Sequence, residues 1–321
     1  MFDRFRQRSY ELEHLDKGDY TAEEYEGCII ELQRVNEWLG DASALRHSLL
    51  AEVAKTRLQE FSVLDAGAGS GELLRVAAAW ARKNNCLARL VGVELNARSA
   101  KAIVEESPGF TEISGVRGDA FRLPFADSTF DYAICSLFTH HFKDDQVVAI
   151  LRQLSRVARR RIFVIDLHRH PVAYYFYTSV GHLFLHNRLI REDGALSILR
   201  SFKPDELFKL AEQAGLMDIR IARRFPYRLV LSASARSAEE TPRTSQGKQQ
   251  GPCELTWPSY EERPERTYLL SFTFAPYSPL TFPICRSSET DSSALRSRRT
   301  AISGLTPKRT GRPITPVPVE T

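Results

Sequence analysis

The chain has 321 residues, room for one large domain or two smaller ones, and its 43% hydrophobic and 26% charged content is ordinary for a globular protein. A formal net charge of +4 is small for this length and gives no electrostatic footprint for nucleic acid or an anionic membrane. The cysteines Cys28, Cys86, Cys135, Cys253 and Cys285 are odd in number and form no Cys-x-x-Cys pair, which excludes a disulfide framework or zinc knuckle and favours free thiols in a reducing compartment.

In chain order, "MFDRFRQRSYELEHLD" is charged throughout and lacks the apolar core of a signal peptide. No window reaches the apolar length of a membrane span, so a cytoplasmic protein is expected. "YTAEEYEGCIIELQRVNEWLG" has Thr21 and Glu24 at capping-box spacing, helical periodicity and a stop at Gly40. "DASALRHSLLAEVAKTR" follows as a helix with Asp41 as its expected N-cap.

Short apolar strands then alternate with helices. "FSVLD", "RLVGVE", "GVRGD", "FDYAICS" and "RIFVID" read as strands, with helices over 71–83, 97–106 and 144–158. The stretch 204–233 adds the helix "PDELFKLAEQAG" and the strands "DIRIARR" and "YRLVLSA". The expected fold is α/β: a Rossmann-like, doubly wound, mostly parallel seven-stranded sheet behind N-terminal helices. Right-handed crossovers would bring the C-terminal strand ends to one ligand-binding edge.

From Arg236 onward the character changes. Eleven of the 16 prolines fall in 237–321, a Ser/Thr-rich segment expected to be a disordered tail. Its apolar stretch "TYLLSFTFAPYSPLTFPIC" is broken by Pro276, Pro279 and Pro283. The expected organisation is a helical cap over 1–44, a catalytic domain over 45–236 and the tail.

Between the first strand and its helix lies "VLDAGAGSGELL", with glycines at every second position. Such a loop lets a ligand approach the backbone closely. It is not a dinucleotide fingerprint, because counting G-x-G-x-x-G from Gly67 puts Glu72 at the sixth position, and from Gly69 puts Leu74 there. Glu72 would also place a carboxylate in the helical turn where a pyrophosphate binds. No Gly-Lys-Ser/Thr ending makes a P-loop. The expected ligand carries no phosphate.

Here the chain resembles the class I methyltransferases that use S-adenosylmethionine, whose first motif is a strand, an acidic residue and G-x-G-x-G. Asp65, Gly67, Gly69 and Gly71 stand in those places. Glu94 ends the second strand, 29 positions after Asp65, where the family holds both ribose hydroxyls. Asp119 follows the third strand, where the family contacts the adenine amino group, and the fourth ends at Ser136. The resemblance implies a cofactor site of Asp65, Ala66, Gly67, Gly69, Gly71, Glu94, Leu95, Asp119, Ala120 and Ser136. It covers residues 45–166 best.

Methyl transfer is an in-line displacement at an activated carbon, and a base is needed only when the acceptor carries a proton. "SLFTHHF" follows the fourth strand and resembles the "HH-F" segment of methyltransferases of the ubiquinone- and menaquinone-biosynthesis type. His140 and His141 are the candidate bases; the alternative is that one caps the next helix and the other packs. Asp166, His168 and His170 alternate after the fifth strand, but with Pro171 marking a turn no metal site is expected. The aromatic cluster Tyr174, Tyr175, Phe176, Tyr177 and Phe184 reads either as a helix packed on the sheet or as an apolar wall for a greasy acceptor. His182 and His186 are expected to share a helix face as structural residues. Tyr20 and Tyr25 are candidates to reach the site from the N-terminal cap.

The expected reaction is methylation, on oxygen or carbon, of an apolar phenolic, quinone-like or polyketide-like small molecule. The rivals are a methyltransferase of protein or nucleic acid and an inactive cofactor-binding module. Amino-group methylation of bases is disfavoured because "SLFT" stands where such enzymes carry [DN]PP[YFW].

Overall fold

The sheet takes its order from the alternation of apolar strands and amphipathic helices. In the computed structural model the described residues are 3–21, 23, 24, 27, 28, 31 and 40–235, less the side chains of 182–184. The tail and most of the predicted helix over 20–40, Tyr25 included, lie outside them. The start of that helix is seen: Glu24 accepts the Thr21 N–H at 2.9 Å and donates its own N–H to Thr21 Oγ1 at 3.1 Å, the reciprocal cap its spacing predicts.

The elements in order are α1 (His14–Lys17), α2 (Asp41–Arg46), α3 (Leu49–Thr56), β1 (Glu60–Ala66), α4 (Glu72–Lys83), β2 (Leu87–Glu94), α5 (Ala97–Glu105), β3 (Ile113–Arg117), β4 (Phe130–Ser136), α6 (Asp144–Val157), β5 (Ala158–Leu167), α7 (Pro171–Phe184), α8 (Arg188–Arg200), α9 (Pro204–Gln213), β6 (Met217–Arg224) and β7 (Arg228–Ser234). The seven strands lie in the order β3-β2-β1-β4-β5-β7-β6. The first five are parallel; β7 pairs antiparallel with β5 and β6. This is the expected Rossmann-like sheet. The chain reverses direction across it between β1 and β4, and the crevice at such a reversal is where ligands bind.

Successive residues of the central strands serve opposite faces. Leu64, Ala66, Ala133 and Cys135 pack with α6 and α9 through Val147, Leu151, Leu154 and Leu207. Phe61, Val63, Tyr132 and Ile134 pack with α2, α3 and α4 through Leu45, Leu50, Leu74 and Ala78. Both faces are covered, which accounts for the near-continuous apolar runs of β1 and β4.

Four local expectations are corrected. Asp41 is not an N-cap: Gly40, at φ 84°, holds that place, and Asp41 sits in the first turn of α2. Its carboxylate is drawn instead to the buried Arg228. The helix predicted from 41 to 57 is two short helices broken at His47 and Ser48. Pro171 does not mark a bare turn but opens α7, its missing N–H costing nothing in the first helical turn, while His170 Nδ1 accepts the Val172 N–H at 3.2 Å. His186 lies past the end of α7 and shares no helix face with His182.

Candidate active site

The C-terminal ends of β1, β2, β4 and β5 meet at one edge and open onto a cavity of about 440 Å3. Its floor is the glycine loop. Gly67, Gly69 and Gly71 all have positive φ, at 73°, 58° and 84°. A Cβ at Gly67 would lie 2.5 Å from the Phe138 ring, so that position takes no side chain. Gly71 is the N-cap of α4.

Two buried carboxylates face this loop. Glu94 accepts the Gly69 N–H at 2.6 Å. Burial pushes its carboxyl up to about 7, against the pull of the Gly69 and Leu95 N–H groups. Asp65 is 2% exposed, and its Oδ1 has no hydrogen-bond partner among the described residues. Burial first, and then the charge of Glu94, push it up to about 8. The pair lacks a positive charge and hydroxyl donors. S-adenosylmethionine carries a sulfonium, an ammonium and two ribose hydroxyls, so the residues present fit it.

Of the predicted cofactor residues, Asp65, Gly67, Gly69, Glu94 and Ser136 line the cavity. Ala66, Gly71, Leu95, Asp119 and Ala120 do not. Ala66 and Ala120 belong to the core. Leu95 is 49% exposed just beyond β2. Asp119 is exposed and accepts the Phe121 N–H at 2.8 Å, shaping the turn after β3.

On the other side of the reversal, "FTHH" brings its first histidine to the cavity. His140 is 2% exposed and lines the cavity; its Nδ1 is 2.6 Å from Oδ1 of Asp166. Asp166 Oδ2 also accepts from Thr139 Oγ1 at 2.5 Å and from the His140 N–H at 3.1 Å. Burial pushes the Asp166 carboxyl up, but the charge of His140 and these hydrogen bonds outweigh it and hold it below the ordinary range. An ionised Asp166 only accepts, so Nδ1 carries a proton toward it, and in the neutral ring Nε2 is the nitrogen with the lone pair. Nε2 has no hydrogen-bond partner among the described residues.

His141 does not line the cavity. It stacks on His140 with ring centroids 4.2 Å apart, and its Nδ1 is 4.0 Å from Glu13 and from Asp16. Burial, then the charges of His140 and Arg200, push it well below the usual imidazole value. Asp166, His168 and His170 do not converge: Asp166 serves His140, His170 caps α7, and His168 is held down to about 4 by burial and the charge of His170.

The upper wall is apolar. Leu15, Cys28, Phe138, Leu167, Ala173, Phe176, Tyr177, Leu189, Ile190 and Ile198 line it. Of the aromatic cluster, Phe176 and Tyr177 reach the cavity, while Tyr174 and Tyr175 pack edge-on against Phe5. Tyr20 packs behind the wall with Cys28, Leu189 and Ile190.

Sequence reasoning missed three contributors and one pairing. Glu13 comes from the N-terminal segment, accepts from Ser197 Oγ at 2.7 Å and is pushed up to about 7 by burial. Arg8 donates to the carbonyls of His140, Phe142 and Arg200, and Arg200 to those of His140 and His141. The pairing of Asp166 with His140 had a signal: β4 and β5 are consecutive strands whose ends meet at one edge. Glu13, Arg8 and Arg200 had none, since each contact spans a long separation in sequence.

Residues 63–161 match the family described as a methyltransferase domain. A demethylmenaquinone methyltransferase of Roseiflexus sp. (strain RS-1) is 33% identical over 190 residues, 54% of this chain and 72% of that protein. The uncharacterized methyltransferase YcgJ of Bacillus subtilis (strain 168) is 31% identical over 126 residues, 37% of this chain; the match spans only 45% of that protein's length. Among solved structures, a SAM dependent methyltransferase from Aquifex aeolicus aligns at 16% identity and a TM-score of 0.44, over 62% of this chain and 96% of that one. With a third of its aligned residues shared across most of the Roseiflexus enzyme, and a methyltransferase-domain match laid over β1 to β5, the chain belongs to the class I S-adenosylmethionine-dependent methyltransferases.

Proposed function

We propose that the protein methylates an apolar, flat small molecule of phenolic, quinone-like or polyketide-like type, on oxygen or carbon, with His140 as the base. The observation that carries this reading is His140, held by the buried Asp166, lining a cavity whose upper wall is apolar. An apolar wall with a few convergent polar groups suits such an acceptor. The Roseiflexus relative, named for demethylmenaquinone, is in keeping with it.

S-adenosylmethionine supplies a methyl carbon already activated by its sulfonium. Asp65, Glu94 and the loop Gly67–Gly71 hold it. The remaining work belongs to the acceptor side. Phe138, Phe176 and Tyr177 hold the flat face and exclude water. Nε2 of His140 takes the acceptor proton, while Asp166 fixes the tautomer and stabilises the imidazolium that forms. Leu15 and Cys28 line the cavity from the N-terminal segment, which supports residues 1–44 as a cap on a domain over 45–236. With Cys28, Cys86 and Cys135 free thiols, and no helix among the described residues long and apolar enough to cross a membrane, we place the protein in the cytoplasm.

The test is a mass-spectrometric product screen with methyl-labelled cofactor and cell extract. A small apolar molecule heavier by one labelled methyl is expected. Label confined to protein or nucleic acid, or no labelled product, overturns the reading.

A further inference from the structure

We propose that Glu13, His140 and His141 form a binding site for a divalent cation of the zinc class, and that an ion there takes the lone pair that His140 needs as a base. The second half rests on the reading of His140 given above; the first half does not.

The donor set is the first argument. Each of the three residues offers one ligand atom, and these atoms all lie within 4.8 Å of one another. Among the described residues no other group of three His, Cys, Asp or Glu side chains does so. His141 Nδ1 and Glu13 Oε1 are 4.0 Å apart. Zinc sits about 2.0–2.2 Å from imidazole nitrogen and carboxylate oxygen, so the donors must draw in by roughly an ångström to share one ion. Two imidazoles and a carboxylate select zinc, cobalt or nickel over calcium or magnesium, which prefer an all-oxygen shell.

The surroundings are the second argument. A metal-binding histidine ordinarily gives its other ring N–H to a carboxylate. His140 does so already, through Nδ1 to Asp166 at 2.6 Å, and its Nε2 is buried without a hydrogen-bond partner among the described residues. Glu13 is oriented too: its Oε1, the oxygen 4.0 Å from His141 Nδ1, accepts from Ser197 Oγ at 2.7 Å. The site is therefore oriented before any ion arrives.

Charge is the third argument. Arg200 Nη1 approaches Glu13 to 3.8 Å and opposes a cation, but it is itself paired with Asp16 at 2.9 Å. Arg8 is paired with Asp144 at 2.5 Å. Four carboxylates, Glu13, Asp16, Asp144 and Asp166, thus stand against two guanidiniums. The carboxylates outnumber the guanidiniums, which favours a cation there. Since Glu13 and His140 both line the cavity, a coordination position stays open toward the acceptor.

The ion and the acceptor proton compete for the same Nε2 lone pair, so the two uses of His140 exclude each other. The site is a point at which metal reversibly switches off the base.

Cobalt(II) titration of the chelator-treated full-length protein tests the site without substrate. The expected result is one equivalent bound by calorimetry, with the visible absorption of four- or five-coordinate cobalt, displaced by zinc. Glu13→Gln keeps the shape of the side chain and should weaken binding at least tenfold. Asp166→Asn, which disturbs the support of His140, should weaken it about tenfold to a hundredfold. Octahedral cobalt spectra, no saturable binding to the wild type, or equal affinity in a folded Glu13→Gln variant overturns the site. The wild-type spectrum decides the matter even if a variant fails to fold. The switch is tested on the acceptor from the product screen: zinc should slow transfer in step with occupancy and chelator should restore it. Full rate with the ion bound overturns the switch while leaving the site standing.

Discussion

Nδ1 of His140, on the turn after β4, lies 2.6 Å from Oδ1 of Asp166 at the end of β5. Two consecutive parallel strands thus deliver an imidazole and its orienting carboxylate to the same edge. If His140 is the base, His140→Gln should lower turnover about a hundredfold to ten-thousandfold, the usual cost of losing a general base. Cofactor affinity should hold, because the residue acts on the acceptor. Asp166→Asn should also lower turnover, through the wrong tautomer, and should alter the pH–rate profile, which a purely structural carboxylate would not do. The checks are steady-state kinetics against pH and calorimetry with S-adenosylmethionine. Two folded variants with wild-type turnover and an unchanged profile would reduce both residues to packing.

Glu94 accepts the Gly69 N–H at 2.6 Å from the end of β2. Its carboxylate is the group expected to hold the ribose hydroxyls. Losing a charge-assisted hydrogen bond costs about 1.5–3 kcal/mol, so Glu94→Ala should weaken cofactor binding roughly tenfold to a hundredfold. Calorimetry on a variant shown folded by circular dichroism measures this, and unchanged affinity removes Glu94 from the site.

Asp65 and Glu94 also make stability depend on pH. Ordinary carboxyls titrate near 4, whereas these are raised to about 8 and about 7. Between those limits the folded state holds protons that the unfolded state has released. Their stabilising contribution is complete below about pH 4 and is lost as pH rises through 7 and 8. His141 and His168, both lowered, act in the opposite direction, but only below the ordinary imidazole value of about 6.5. The melting temperature of the ligand-free protein should therefore fall between pH 6.5 and 8.5, a window bounded by these values. Glu13, raised to about 7, shares in the fall. Asp65→Asn should make it shallower, since each proton accounts for at most about 1.4 kcal/mol per pH unit. Parallel melting curves for wild type and variant across that range would refute the assignment.

The sheet was legible because β1, β2, β4 and β5 are buried on both faces and so spell continuous apolar runs. The glycine loop was legible because positive φ at 67, 69 and 71 leaves little choice of residue. That His140 lines the cavity follows from its place after β4. What stayed hidden was set by contacts between distant segments. Glu13 meets Ser197 across 184 positions, and nothing near Glu13 marks it. Pro171 was read as a turn because a proline ends a helix as often as it starts one, and only the histidine before it reveals a cap. Asp41 followed local capping preference on paper, and in the fold a buried guanidinium 187 residues away outweighed it.

That guanidinium carries the last prediction. Arg228, at the start of β7, is 1% exposed. Its Nε lies 2.6 Å from Oδ1 of Asp41 and its Nη2 3.4 Å from Oδ2. Among the described residues no other side chain is bonded to it. The pair ties α2 to the far half of the sheet, and both residues line the cavity. A buried ion pair is a poor source of net stability, because desolvation offsets most of the attraction. Breaking one is different, since it leaves a buried charge uncompensated at about 3–5 kcal/mol. For a domain of this size each kcal/mol moves the melting temperature about 2–4 °C, so Asp41→Ala should melt roughly 6–20 °C earlier. The double variant Asp41→Leu, Arg228→Met removes both charges and should recover most of that loss. Thermal denaturation by circular dichroism distinguishes the cases. If Asp41→Ala melts with the wild type, the guanidinium has found water or another partner and the pair is not what holds α2 to β7. If the double variant melts as early as the single, the loss comes from packing at Asp41, not from the stranded charge.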